Sequence, residues 1–272
     1  MGNNHRLLIS DIDGTLVTHD KVLTVAAVAA ANKLREAGIR LTLISSRPPR
    51  GMKHLIEPLN IVEPIAAFNG GMIVRPDLTV IEQRLVPADA ARKAIAIIQQ
   101  HGLHAWLWTA QDWYVLDANA PHVAREQHTV NFLATTTASF EPHIAEAGKI
   151  VGVSDDYDAV IRCEAAVHAA LGTTVAASRS QPYYLDITHP DADKGRAVLA
   201  LSNILHIPTE QMITIGDMPG DVFMFEKSGT SIAMGNAPPE VQKKATYVTT
   251  SNEQEGFATA IDRYVLAERA SG

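Results

Sequence analysis

Two aspartates stand one residue apart in LLISDIDGTLV, Leu7 to Val17, directly after a short apolar run, and the chain turns on Gly14-Thr15 just beyond them. Strand alternation explains one exposed carboxylate. Two such charges repel, so either solvent relieves the repulsion or a positive group sits between them. An Asp-Gly pair is also a common hairpin signal, and taken alone this segment leaves both readings open. Three more segments share the pattern. Ser45-Ser46-Arg47 ends a second apolar run; it is either a polar loop before two prolines or a hydroxyl with free backbone N–H groups for phosphate oxygens. Asp193-Lys194-Gly195 opens a helical pattern. A cation there opposes the helix macrodipole, which makes sense if an anion lies between them; the plain alternative is a solvated lysine. Ile215–Asp221, IGDMPGD, follows a third apolar run and is a Gly/Pro turn that carries Asp217 and Asp221.

Together the four argue more strongly than singly, because ligands of open parallel sheets bind at the carboxyl ends of the strands. If the segments converge, Asp11, Asp13, Asp217 and Asp221 share one pocket. Two like charges ~4 Å apart repel by about 4 kcal/mol at an effective dielectric of 20. Several such pairs would strain a domain whose net stability is only ~5–15 kcal/mol. A divalent cation removes the problem, and all-oxygen ligands select a hard ion such as Mg²⁺. Lys194 and backbone amides then supply the positive side for a phosphate. One carboxylate can attack phosphorus and form an aspartyl-phosphate, and a second can protonate the leaving oxygen and later activate water. Metal and lysine neutralise the transferring phosphoryl group.

The elements that must position these groups follow from periodicity. Leu7–Ser10 reads as a strand; Thr24 caps an Ala/Leu-rich helix to Ala37 that Gly38 ends; Ile39–Ile44 and Pro64–Phe68 are further strands, the last running into FNGG. This strand–helix order implies a parallel sheet covered by helices. Ala88–Gln100 is helical, HAWLWTAQDWYVL is a two-strand signal, and mixed helix and strand continue through Thr173–Ala177. From Tyr183 the first pattern resumes: a strand, a helix over Lys194–Leu205, a strand at Met212–Ile215, a helix near Asp221–Lys227 and a strand at Ser231–Ala233. The middle, 85–187, therefore reads as an insertion into a doubly wound α/β domain, and the C-terminal RASG as a frayed end.

Composition bounds the function. Of 272 residues, 46% are hydrophobic and 19% charged, enough to bury a core. No apolar run reaches the ~18–20 residues that cross a membrane, and MGNNHRLLIS carries no secretory pattern. Cys163 is the only cysteine, so no internal disulfide forms. A soluble, cytoplasmic protein is expected. A formal net charge of −7 and the absence of a basic block argue against nucleic acid as a partner, and no membrane partner is expected.

The ordered motifs resemble those of the haloacid dehalogenase-like superfamily of phosphohydrolases, and within it the Cof-like group with a large α/β cap. DIDGT matches its DxDGT, SSR stands where the group has Thr-Gly-Arg, FNGG resembles its Asn-Gly-Ala loop, DKGRAV its lysine motif and GDMPGD its GDxxxD; SIAMGNAPPEVQKKATYVTTSNEQEGFATAI continues the C-terminal pattern. The resemblance implies a doubly wound, mainly parallel Rossmann-like core sheet (1–84 and 188–272) with an inserted α/β cap domain (85–187). It implies Asp11 as nucleophile, Asp13 as general acid/base, Ser45 on the transferring phosphoryl group and Lys194 paired with it. Mg²⁺ would be held by Asp11, the backbone carbonyl of Asp13 and Asp217, with Asp221 in support directly or through water. Ser46, Arg47, Asn69, Gly70 and Asn236 are the substrate-binding candidates, and His189 is a further residue that could face the cleft.

Two residues depart from the group's pattern: Gly220 replaces the usual Asn and Ser46 the usual Gly. The implied activity is Mg²⁺-dependent hydrolysis of a small phosphorylated metabolite, a sugar phosphate. A phosphosugar mutase and a non-catalytic phosphate sensor are the rivals. The cap would close over the substrate. Its tryptophans, Trp106, Trp108 and Trp113, are expected to pack the cap sheet against the cap helices, the alternative being that one lines a leaving-group pocket.

Overall fold

The computed structural model describes residues 5–267; the RASG end lies outside them. In chain order the elements are β1 (Leu7–Ser10), α1 (Val25–Glu36), β2 (Arg40–Leu43), α2 (Pro49–Ile56), β3 (Ile65–Ala67), β4 (Met72–Val74), β5 (Val80–Gln83) and α3 (Ala88–Gln100). There follow β6 (His104–Trp108), β7 (Trp113–Val115), α4 (Val123–Val130), β8 (Thr135–Thr136), β9 (Lys149–Val153), α5 (Tyr157–Leu171), β10 (Ala176–Gln181) and β11 (Tyr184–Thr188). The chain then forms α6 (Lys194–Leu205), β12 (Met212–Gly216), α7 (Val222–Phe225), β13 (Thr230–Ala233), α8 (Pro239–Gln242), β14 (Tyr247–Val248) and α9 (Gly256–Ala260).

Parallel strands, the central ones buried on both faces, form the first sheet, as strands between helix layers must. Five of them run in the order β14-β13-β12-β1-β2, every neighbouring pair parallel. The side-chain period of two divides them between two cores. Leu8, Leu41, Leu43, Ile213 and Ile215 pack on the side of α1 and α9. Leu7, Ile9 and Met212 pack on the side of α6 and α7. Two caps set the helix starts: Thr24 Oγ1 accepts the Ala27 N–H at 3.1 Å, and Asp193 Oδ1 accepts that of Arg196 at 2.9 Å.

A second sheet of six strands has the order β10-β11-β9-β6-β7-β8 and is antiparallel except at β7–β8. One face, with Ala105, Leu107, Ile150 and Ile187, is covered by α3 and α5. Two expectations are corrected here. The strand after Tyr183 belongs to this second sheet, between β9 and β10, because its partners lie in the intervening segment. The strand at Pro64–Phe68 does not extend the parallel ladder. β3 touches β2's end through the single bridge Ile44–Ala66 and pairs antiparallel with β4, which pairs with β5. That three-stranded ribbon was not legible as strands, because β5 is exposed or half-buried along its length and carries no alternation.

The tryptophans pack the second sheet against α4 and extend that contact beyond it. Trp106 and Trp108 alternate onto the face opposite α3 and α5. With Trp113 they join the cluster that continues through Val123 and Val130 of α4 to Met52, Leu55 and Phe68 beside the parallel sheet. Trp108 stacks on Trp113 at 4.6 Å and Trp106 meets Trp113 edge-on at 5.0 Å. Among the described residues no helix is long and apolar enough to cross a membrane.

Candidate active site

Three neighbouring parallel strands, β12, β1 and β2, end at the same level, with Ser10 paired to both Ile215 and Leu43. Asp217, Asp11 and Ser45 therefore leave the sheet side by side. The turn after β1 needs a residue with no side chain: Gly14 has φ +80°, and a Cβ there would overlap the Asp217 carboxylate. Gly70, at φ +95°, lets the FNGG turn approach α6, because a Cβ would lie 2.7 Å from Ala197 Cβ and 2.9 Å from the Asp193 carbonyl oxygen. Helix α6 is thereby held with Lys194, its first residue, pointing into the strand ends.

Lys194 Nζ donates to Asp11 Oδ1 and Asp221 Oδ1, both at 2.6 Å. The other oxygen of Asp221 accepts the backbone N–H groups of Asp217 and Met218 at 2.8 Å each. Asp221, fully buried, thus has both oxygens engaged and braces Lys194 and the Asp217 loop. Among the described residues Asp217 receives only neutral donors, Thr15 Oγ1 at 3.0 Å and Asn236 Nδ2 at 3.3 Å. Carboxylate oxygens of Asp11, Asp217 and Asp221 lie within 4.8 Å of one another. Burial, and the charges of Asp221 and Asp217, hold the Asp11 carboxyl well above the usual range against the pull of Lys194. Burial and Asp221 likewise push Asp217 up to about 6. Burial alone would lower the Lys194 pKa, but Asp11 and Asp221 hold it above the usual lysine range.

Asp13 faces the other way. Arg47 grips it with two bonds, Nε to Oδ2 at 2.7 Å and Nη2 to Oδ1 at 2.8 Å, and Lys21 Nζ donates to Oδ1 at 2.7 Å. Burial would raise its pKa; the bonds and charge of Arg47, with Lys21, hold it well below the usual carboxylate range. The Asp13 side chain is thus not among the three clustered carboxylates, and only its carbonyl could join a metal there.

The remaining candidates divide. Ser45 is buried, and its Oγ accepts the Arg47 N–H at 3.1 Å, leaving the hydroxyl proton available. The backbone N–H of Asn69 bonds the Ser45 carbonyl at 2.8 Å, so Asn69 and Gly70 shape the loop around Ser45. The Ser46 carbonyl takes Lys149 Nζ at 3.3 Å. Asn236 braces the loops beside Asp217: its amide also donates to the Gly14 carbonyl at 2.9 Å, and its oxygen accepts the Asn252 N–H at 3.1 Å. His189 caps its own loop, Nδ1 accepting the Asp191 N–H at 3.0 Å. Sequence reasoning passed over Lys21, because a lone lysine in a loop carries no spacing signal, and Thr15, quoted with its motif but given no contact.

The donor set fits a hard divalent cation. Asp217 is a buried carboxylate with no cationic partner among the described residues, next to a buried Asp11, and all nearby ligands are oxygens. Lys194 stands beside these oxygens, so a cation and an ammonium together can neutralise an anionic ligand such as a phosphate.

Comparisons with known proteins relate the whole chain to one family. A family model described as haloacid dehalogenase-like hydrolase matches residues 8–261. The chain is 28% identical over 288 residues to the 5-amino-6-(5-phospho-D-ribitylamino)uracil phosphatase YwtE of Bacillus subtilis, covering 96% of this chain and 98% of that protein. It is 24% identical over 274 residues to the pyridoxal phosphate phosphatase YbhA of Escherichia coli, covering 96% and 99%. The crystal structure of a haloacid dehalogenase-like hydrolase from Bacteroides thetaiotaomicron superposes with a TM-score of 0.89 at 26% identity, over 95% of this chain and 99% of that one.

Proposed function

The chain belongs to the haloacid dehalogenase-like hydrolase family and is a phosphatase, and from that premise we propose that it hydrolyses a small phosphorylated metabolite, a sugar phosphate, with Mg²⁺ and through phospho-Asp11. The observation that carries this reading is the buried pair Asp11 and Asp217, one bonded to Lys194 and the other to no cation among the described residues. Asp11 and Asp217, with the Asp13 carbonyl, would hold Mg²⁺ beside Asp221. When bound, the ion supplies positive charge against the phosphoryl oxygens.

The chain's own residues do the rest. Asp11 attacks phosphorus and the bond to the leaving oxygen breaks, giving phospho-Asp11. Lys194 and the Ser45 hydroxyl hold the phosphoryl oxygens as charge builds on them. Asp13 gives its proton to the leaving oxygen, then takes one from the water that attacks phospho-Asp11 and releases phosphate. Arg47 and Lys21 bond Asp13 as a carboxylate in this structure, so Asp13 must be released and take a proton from solvent before it can give one to the leaving oxygen. A dianionic phosphate competes for the Arg47 guanidinium, which links substrate arrival to that release. Residues 85–187 act as a cap over the phosphate. The two relatives named above are phosphatases of a phosphorylated ribitylamino-uracil and of pyridoxal phosphate, which supports a small phosphate monoester as substrate. Cys163 is buried and unpaired, as suits the cytoplasmic location that belongs to this reading.

The test is phosphate release from an aryl phosphate and from sugar phosphates, with Mg²⁺ and with a chelator. Release that needs Mg²⁺, with phosphate trapped on Asp11, is the expected result. Isomerised sugar phosphate without free phosphate would mark a mutase, and no turnover by folded, metal-loaded protein would sink the reading.

A further inference from the structure

The face of the second sheet turned toward the parallel sheet carries a charged cluster among its tryptophans and valines. Strand alternation puts Trp106, Trp108, Val151 and Val153 on it, and with them Lys149 of β9 and Tyr184 and Asp186 of β11. Lys149 is 7% exposed, and charged groups are not placed so deep without a reason. Its Nζ reaches the Ser46 carbonyl at 3.3 Å and lies 3.6 Å from Asp186 Oδ2, a loose pairing beyond hydrogen-bond distance. Glu126 of α4 joins them. Its carboxylate accepts the Tyr184 hydroxyl at 3.3 Å and has no ion pair among the described residues. It is close enough for the charges of Lys149, Asp186, Asp13 and Arg47 to act on it, and burial raises its pKa. The bond from Lys149 to the Ser46 carbonyl sets the cluster against the loop whose next residue, Arg47, grips Asp13. Lys149 Nζ also lies 5.8 Å from the Trp108 ring, but packing does not account for Glu126, whose carboxylate has the Tyr184 hydroxyl as its hydrogen-bond partner and no ion pair among the described residues.

We propose that Glu126, Lys149, Asp186 and Tyr184 form the leaving-group subsite, and that it selects a hydroxyl-rich, uncharged leaving group. The inference rests on the phosphatase reading, in which the leaving oxygen lies at Asp13. Carboxylates accept hydrogen bonds; an ammonium donates them; the Tyr184 hydroxyl does both. A hydroxyl-bearing chain answers both kinds of group. A second phosphate or a carboxylate only accepts and would meet two negative charges. A bare aromatic ring answers none and leaves the polar groups unpaired.

The experiment compares kcat/KM of the Mg²⁺-loaded protein on para-nitrophenyl phosphate, on hexose and pentitol monophosphates, and on monoesters whose leaving group carries a carboxylate or second phosphate. The hydroxyl-rich esters are expected to exceed the aryl ester by about tenfold or more, as a site built for hydroxyls does. In Glu126→Gln and in Tyr184→Phe that ratio should fall by about tenfold, the scale of a hydrogen bond to a charged group. Esters with an anionic leaving group should be poor for the wild type and should gain in Glu126→Gln. Tyr184→Phe keeps the ring that meets Trp106 at 5.3 Å, so it serves if the first variant misfolds. A ratio unmoved in both folded variants, or a wild-type preference for anionic leaving groups, overturns the subsite. If the wild type hydrolyses the aryl ester without preferring hydroxyls, the subsite alone fails. Hydrolysis of no ester at all overturns the phosphatase reading with it.

Discussion

Asp11 and Asp13 are separated by one residue yet hold their carboxylates in opposite settings. Asp11 shares Lys194 with Asp221 in a buried cluster of acids, whereas Asp13 is gripped by Arg47 and Lys21. Two chemically identical side chains are thereby prepared for different work. One is pressed against other carboxylates until a cation or phosphorus relieves it. The other is kept ionised until its arginine is drawn off.

The first prediction separates the two roles. Asp11→Asn should lower turnover at least about 10³-fold on every ester, since the nucleophile is gone. Asp13→Asn should lower it by about 10²- to 10⁴-fold on alkyl esters and by less on para-nitrophenyl phosphate, whose leaving group needs no proton. Steady-state kinetics on both ester types, with circular dichroism to confirm folding, checks it. Equal losses for Asp13→Asn on the two types would remove Asp13 as the acid.

Among the described residues Lys194 is the one cation bonded to the acidic cluster. Replacing it by Met leaves Asp11, Asp217 and Asp221 buried without a bonded cation, and should destabilise the metal-free protein by about 3–5 kcal/mol. Mg²⁺ should recover part of that, and should stabilise the variant more than the wild type. Denaturant unfolding with and without Mg²⁺ reads both effects.

Glu126 sets a pH dependence whose sign can be worked out. Burial raises its folded-state pKa above the ordinary 4.5, helped by Asp186 and Asp13 against Lys149. The folded protein therefore holds this proton more tightly than the unfolded chain. The ionised form is the costly one: its penalty is absent below 4.5, grows through the folded pKa and is complete above it. Glu126→Gln should accordingly raise the melting temperature near neutral pH, with the gain shrinking as the pH is lowered through the carboxylate range. Melting curves of both proteins across pH check this; a gain that grows in acid would contradict it.

Gly220 stands where the resembling group has Asn, and a Cβ there would meet no atom within 4 Å. Gly220→Asn should therefore fold as well as the wild type. By supplying an amide near the phosphate or metal it should raise kcat/KM by about three- to tenfold, the size of one hydrogen bond. Unchanged kinetics would mean that the loop works without that contact.

Much of this was legible in the residues themselves. Helix α6 has the bounds its pattern indicates, because Asp193 caps it and a buried stripe runs through Val198 and Leu201. The convergence of Asp11, Ser45, Lys194 and Asp217 was legible because each follows a buried strand or opens a helix, and a parallel sheet sends strand ends to one edge. The second sheet was harder. Its membership depends on antiparallel pairings such as Lys149 with Thr188 and Trp108, which no local pattern encodes. That is why β11 reads as a return to the first sheet and why the tryptophans turn to the opposite face. Lys21, Glu126 and Asp186 stayed hidden for the same reason: each acts through a neighbour distant in the chain.

The chain's three tryptophans are all drawn into one stacked cluster, their indole N–H groups buried without partners. The whole of the protein's indole emission therefore arises at a single seam between its two sheets. Any parting of those sheets would admit water to the indoles and shift the emission to the red, so the opening of this molecule can be timed by its own light, without a label.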